Sequence, residues 1–187
     1  MADLAPAPGI LLLAPPVLDD PHFERAVVYL CQTDEDGAFG LVLNQTTTLS
    51  LAALMDGFER YDAPIPLRQG GPVQPETLHV LHRAPGLVDG GEDLPGGVTW
   101  GGDLESLVEA FASKEADAED FAFFLGYAGW STGQLEEEIA RGDWLLTPAR
   151  AADLFETAPE DLWKTVLRRM GEPHSYLVHF PADPRLN

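Results

Sequence analysis

The sequence predicts a single α+β domain with a mixed sheet, on three observations. β-rich runs joined by short turns fill the first half of the chain, and amphipathic helical segments fill much of the second. The 187 residues, 45% of them apolar, are enough to bury one substantial core, and no repeat at a fixed period is present.

In chain order, residues 1–9 are rich in Ala and Pro and read as a loose N-terminal arm. Residues 10–14 read as a short buried strand stopped by Pro15-Pro16. Residues 26–32 and 38–45 are two β-rich runs joined by Asp34-Glu-Asp-Gly37, a hairpin signal with a glycine free to take a positive φ. A short helix is expected over 50–55. Strands follow at 64–68 and 78–83, separated by the Gly70-Gly71-Pro72 turn. Residues 85–103, rich in Gly, Asp and Pro, are irregular except for a short strand at 98–100.

Leu104, Leu107, Val108 and Phe111 fall at helical spacing, with Asp103 placed to cap them. The apolar run 121–128 reads as a central strand buried on both faces. Ser131-Thr-Gly-Gln134 fits a capping box that opens a helix ending at Gly142. Residues 144–146 form a strand, and Thr147-Pro148 caps and starts the next helix. Thr157-Ala-Pro-Glu160 is a second capping box, followed by the apolar face Leu162, Trp163, Val166, Leu167 and Met170 and closed by Gly171. The domain is thus expected over 10–171, with 172–187 as a C-terminal extension.

Acids outnumber bases 31 to 11, a formal charge of −20. Such a surface repels phosphate backbones, and the lone basic doublet, Arg168-Arg169, sits where a helix C-terminus favours cations anyway. Direct nucleic-acid binding is not expected. No apolar run approaches the roughly 20 residues that cross a bilayer, so no membrane association is expected either. The first cation is Arg25, too late for a signal peptide, which points to the cytoplasm. A single cysteine, Cys31, excludes an internal disulfide and a cysteine-based zinc site.

Gly129-Trp-Ser131-Thr-Gly133 matches G-x-S-x-G between an expected strand and an expected helix, the context of a nucleophile elbow. The simpler reading makes Ser131 a helix cap, and the 56 residues after it are cramped for the rest of a hydrolase fold. His79 and His82 are three apart on a strand and point to opposite faces, so no metal site is expected. Glu136-Glu137-Glu138 reads as a solvated helix face. No Walker or dinucleotide pattern is present, and nothing calls for a cofactor. Cys31 is the other candidate nucleophile, with Arg25 as the cation that would activate it; burial as a small hydrophobe is the simpler reading.

Several segments together resemble a known family. Phe23-Glu-Arg-Ala-Val-Val-Tyr-Leu-Cys31, Gly37-Ala-Phe-Gly-Leu-Val-Leu-Asn44, Gly70-Gly-Pro-Val73, Leu81-His82, Gly126-Tyr-Ala-Gly-Trp-Ser-Thr-Gly-Gln-Leu-Glu136 and Gly142-Asp-Trp144 are similar to the YqgE/AlgH family of bacterial proteins. The resemblance implies a bifurcated, strongly curved sheet that closes into a pseudo-barrel with helices around it. It implies little about activity, since the family's transcriptional-regulator label comes from a genetic link to alginate production and not from a DNA-binding module. Ser131 and Thr132 fall at variable positions of the family pattern. A histidine that the family often carries two residues after the cysteine is Thr33 here.

The function expected is therefore a non-enzymatic regulatory module that binds a small ligand or a protein partner. The alternative is an enzyme, thiol-dependent through Cys31 or serine-hydrolase-like through Ser131. If the hairpin turns at 34–37 with regular pairing, Val28, Leu30, Phe39, Leu41 and Leu43 share a core face. Arg25, Tyr29, Cys31, Gly40 and Asn44 then share the other. That second face predicts a concave ligand site lined by Arg25, Asn44 and Trp130, with Gly70 and Gly71 close by.

Overall fold

The computed structural model describes residues 4–56, 58 and 64–180. Its strands are β1 (Ile10–Leu13), β2 (Val27–Asp34), β3 (Gly37–Val42), β4 (Thr46–Ser50), β5 (Pro66–Gln69), β6 (Val73–His82), β7 (Glu92–Leu94), β8 (Val98–Trp100), β9 (Phe121–Ser131) and β10 (Leu145–Pro148). The helices are α1 (Leu104–Ala112), α2 (Gln134–Arg141), α3 (Ala151–Phe155) and α4 (Pro159–Met170). The strands join into one mixed sheet in the order β10-β1-β2-β3-β9-β6-β8-β7, with β4 on β5 and β5 on β9. The fold is α+β, its curled sheet forming a half-barrel with helices around it. No helix among the described residues is long and apolar enough to cross a membrane.

The long strand β9 organises the sheet. One of its edges carries β6 along most of its length. The other edge is divided: β5 runs parallel to Phe123, Phe124 and Leu125, and β3 runs antiparallel to residues 128–131. The division falls at Gly126, whose φ is +68° and where a Cβ would lie 2.6 Å from the Gly71 carbonyl oxygen. Only a glycine takes that backbone conformation and that close approach without strain. The expected strands around Gly70-Gly71 are therefore not a hairpin; β9 lies between them.

Both sheet faces are covered. On one face Leu11, Leu13, Val27, Tyr29 and Leu41 meet Leu162, Trp163, Val166 and Leu167 of α4. On the other, Leu12, Val28, Leu30 and Val42 meet Trp130, Leu135 and Trp144. A third cluster joins the first half of β9 to α1 through Phe121, Phe123 and Phe111.

Local signals place α1 and β8 as expected, and Asp103 accepts a hydrogen bond from the Ser106 amide at 2.8 Å. Other expectations are corrected. Residues 46–50 form β4, and the helix expected over 50–55 shrinks to one 3-10 turn at Leu51–Ala53; the three threonines at 46–48 favour the strand. β10 continues through Thr147 and Pro148 because the open edge of β1 needs a partner, pairing Leu11 with Thr147. The next helix, α3, is capped instead by Asp153, which accepts from the Arg150 amide at 2.8 Å and is held by Arg169 at 2.6 Å. The second capping box does not form either: α4 starts at Pro159 after Ala158, and the Thr157 hydroxyl donates to the Ala152 carbonyl.

The main correction concerns the first hairpin. Its turn is where the sequence places it, with Asp34 opposite Gly37 and Thr33 opposite Ala38. Between Leu30 and Gln32 the register slips, leaving Cys31 as an extra residue on β2. Such a bulge changes which residues of the two strands share a face. Phe39, Leu41 and Leu43 consequently join Tyr29 and Cys31, not Val28 and Leu30. The polar pocket wall expected from Tyr29 and Cys31 becomes core, and both residues are fully buried.

Candidate functional site

The described surface carries an open groove of about 490 Å³ where β2, β3 and β9 end together. Two rows of paired residues build it. Gln32, Phe39 and Gly129 face one another across the three strands, and Asp34, Gly37 and Ser131 form the next row. Tyr127 lies two residues before Gly129 and opposite Val73 of β6. Directly paired residues project from the same face of a sheet, so these side chains converge.

The floor is Gly129. A Cβ there would sit 3.0 Å from Cε2 of Tyr127, so the missing side chain lets the phenol ring lie across the strand. Tyr127 stacks on Phe39 with centroids 4.5 Å apart and ring planes 24° from parallel. Phe39 is in turn braced by Trp100 at 4.6 Å and by His79 at 5.2 Å. The groove thus has a rigid aromatic wall.

The opposite wall is polar and acidic. Gln32 donates to Asp34 Oδ2 at 2.5 Å, and the Asp36 amide donates to Asp34 Oδ1 at 2.9 Å. These bonds, the Gln32 amide foremost, hold the Asp34 carboxyl below the usual carboxylate range. Asp36 borders the groove as well, and among the described residues no cation does. Thr132 fastens the turn to the end of β9, its hydroxyl reaching the Glu35 carbonyl at 3.1 Å and the Asp36 carbonyl at 3.3 Å.

Of the residues expected to form a ligand site, Trp130 borders this groove. Its indole is engaged on the far face, against Phe23 and Trp144, and donates to Glu138 at 2.7 Å. Trp144 donates to the same carboxylate oxygen at 2.8 Å. Glu138 is therefore a bridge, not the solvated residue its sequence context suggested. Gly70 and Gly71 run against residues 126–128 of β9 as backbone spacers; a Cβ on Gly71 would lie 2.1 Å from the Tyr127 carbonyl carbon.

Arg25 and Asn44 do not join them. Asn44 pins the entry to β2, accepting from the Val27 amide at 2.8 Å and donating to the Arg25 carbonyl at 2.9 Å. The Arg25 guanidinium lies 4.9 Å over the Trp163 ring and donates to the Phe180 carbonyl at 2.6 Å. Trp163 and Trp130 belong to clusters on opposite faces of the sheet, so the structure does not bring Arg25 and Trp130 together.

Neither candidate nucleophile is set up for chemistry. Cys31 is fully buried and its thiol is pushed up, first by burial and then by the charge of Glu92. Ser131 donates to Gln134 Oε1 at 3.1 Å, and the same oxygen accepts the Ser131 amide at 3.0 Å. The N-cap of α2 is Gly133, at φ +74°, so Ser131 is tied to the first turn without capping it. His79 and His82 diverge as expected, one against Phe39 and Tyr127 and the other stacked on Phe121.

Gln32, Asp34, Asp36, Phe39, Val73, Tyr127 and Gly129 are thus groove residues that sequence reasoning missed. The available signal was the alternation Tyr127, Gly129, Ser131, which puts a gap beside an aromatic ring. What it lacked was the register of the neighbouring strands.

The comparisons with known proteins agree with this architecture. The AlgH-like family model matches residues 11–175. Among similar proteins, a UPF0301 protein of Chlorobaculum tepidum is 38% identical over 96% of this chain and 95% of its own. A UPF0301 protein of Cytophaga hutchinsonii is 36% identical over 96% and 98%. The solution structure of AlgH from Pseudomonas aeruginosa superposes with a TM-score of 0.72 at 32% identity, covering 97% of this chain and 98% of that one. A crystal structure from Corynebacterium diphtheriae, at 24% identity, shares the fold with a TM-score of 0.75 over 96% and 95% of the two chains. By the matched segment and by these relatives, the chain belongs to the AlgH-like family of UPF0301 proteins.

Proposed function

We propose that this protein is a non-enzymatic regulatory module whose output is occupancy of the β2–β3–β9 groove by a small ligand or a segment of a protein partner. The observation that carries the reading is the groove itself: a rigid aromatic wall of Phe39 and Tyr127 facing Asp34 and Asp36 across a glycine floor. A concave site with apolar faces and a few convergent polar groups is the usual form of a recognition site. The two candidate nucleophiles lie outside that description, Cys31 inside the core and Ser131 bonded to Gln134. The charge of −20 disfavours nucleic acid as the partner.

The test is heteronuclear NMR of labelled protein titrated with the small-molecule and the macromolecular fractions of a bacterial lysate. Signals of Phe39, Tyr127 and Gly129 should shift with one fraction, and should not shift in Gln32→Trp, where an indole fills the groove. Shifts confined to other regions, or unchanged in Gln32→Trp, overturn the reading.

A further inference from the structure

We propose that the groove docks an arginine side chain presented by a basic polypeptide segment. The inference rests on the binding-module reading and names the chemistry of the occupant. Charge complementarity points to a cation. Asp34 is held ionised by its hydrogen bonds, and the Asp36 carboxylate takes none among the described residues. Among the described residues the groove lining includes no Lys, Arg or His to neutralise them, in a chain of net charge −20.

Shape selects among cations. The aromatic wall of Phe39 and Tyr127 suits a planar guanidinium better than a compact, strongly hydrated ammonium. A guanidinium stacked there also offers a fork of N–H donors to carboxylates at the opposite wall. Its aliphatic stem would lie along the Tyr127 ring where that ring crosses Gly129. The groove is open and not closed around one molecule, so the flanking backbone of a polypeptide can pass over it. The long-range attraction of an acidic surface speeds encounter with a basic segment.

The experiment is an NMR titration with N-acetyl-Gly-Arg-Gly amide, its citrulline counterpart and free agmatine, at low and high ionic strength. Citrulline keeps the shape of arginine and removes the charge. The arginine peptide should shift Gln32, Phe39, Tyr127 and Gly129, bind about tenfold more tightly than the citrulline peptide, and weaken with salt. Asp36→Asn should cost about fivefold to tenfold without altering the free protein's spectrum beyond the turn. Equal binding of the two peptides in the groove would overturn the guanidinium and leave the groove reading standing. Tighter binding of agmatine than of the peptide would overturn the polypeptide occupant. Shifts scattered over the acidic surface and insensitive to Asp36→Asn, or no binding of the arginine peptide at all, would overturn the proposal outright.

Discussion

The two halves of β9 do opposite things with the same strand. From Phe121 to Leu125 every second residue enters a purely apolar cluster: Phe121 and Phe123 pack with Phe111 at centroid distances of 5.0 and 6.2 Å. From Gly126 to Ser131 the small residues Gly126, Ala128, Gly129 and Ser131 flank two aromatic ones, Tyr127 and Trp130. Its neighbours there are the bulged end of the first hairpin and the start of β6. The first half has a large side chain wherever it needs volume. The second half has a hollow wherever two backbones or a ring must come close. Stability resides in one half and the candidate site in the other, and the fork at Gly126 separates them.

The sharpest break of that comparison is Phe123→Ala. The ring is 1% exposed, so truncation should cost about 3–5 kcal/mol through lost transfer energy and the cavity left behind. Urea denaturation measures it. The Phe39 and Tyr127 ring signals of the folded fraction should not move. If they do, the halves are coupled across Gly126 and the division fails.

The second half has its own anchor, on its far face. Glu138 accepts both indole N–H groups and the Gln134 amide. Glu138→Ala orphans two largely buried donors and should cost about 2 kcal/mol. Because α2 is docked through these bonds, the loss should also loosen the connection at 131–133, read as faster amide exchange there than in β6. Unchanged exchange would mean that apolar contacts of Leu135 suffice to hold the helix.

The elements legible in the sequence are those whose causes are local. Asp103 and the 3.6-residue spacing after it define α1, and the Asp34–Gly37 turn follows from its own residues. What was illegible depends on partners distant in the chain. Cys31 carries no mark of a bulge; the slip shows only in how β2 pairs with β3. Thr147-Pro148 is a sound helix start by local chemistry, and the unpaired edge of β1 overrides it. The groove needs the register of β2, β3, β6 and β9 together, so its residues could be named only after those pairings were known. A site expected on Arg25 and Asn44 rested on regular pairing through Cys31, and one extra residue dissolved it.

A pH titration probes the first half of β9 from the side of β6. His82 is 1% exposed, stacks on Phe121, and has no hydrogen-bond partner at either ring nitrogen among the described residues. Burial pulls its pKa down, outweighing the Gly101 backbone and Asp93, which lie near enough to favour the charged form. His79, beside the groove wall, is lowered by burial too. Both are neutral in the native state at neutral pH. Below about 6.5 the unfolded chain takes up protons that the native state resists, so stability is full above that pH and falls as pH drops toward the lowered native values. The slope is bounded by roughly 1.4 kcal/mol per pH unit for each histidine. His82→Phe should flatten the dependence of urea midpoints between pH 7 and pH 5.5. An unchanged slope would place the effect on other groups.

The smallest effect belongs to the residue whose motif looked most like chemistry. Ser131 matches the nucleophile position of G-x-S-x-G, and it does stand between a strand and a helix. Its hydroxyl, however, donates to an acceptor that the Ser131 amide also uses, so removing the hydroxyl leaves Gln134 bonded and orphans nothing. The residue is exposed, so no cavity forms. Ser131→Ala should therefore shift stability by less than about 0.5 kcal/mol, below the typical value of about 1 for a true N-cap, because Gly133 holds that position. The same variant should leave any trace of ester cleavage unchanged. Labelling of the wild type by a fluorophosphonate probe, lost in Ser131→Ala, would give the glycine-rich half of β9 a catalytic role and replace the binding reading with an enzymatic one.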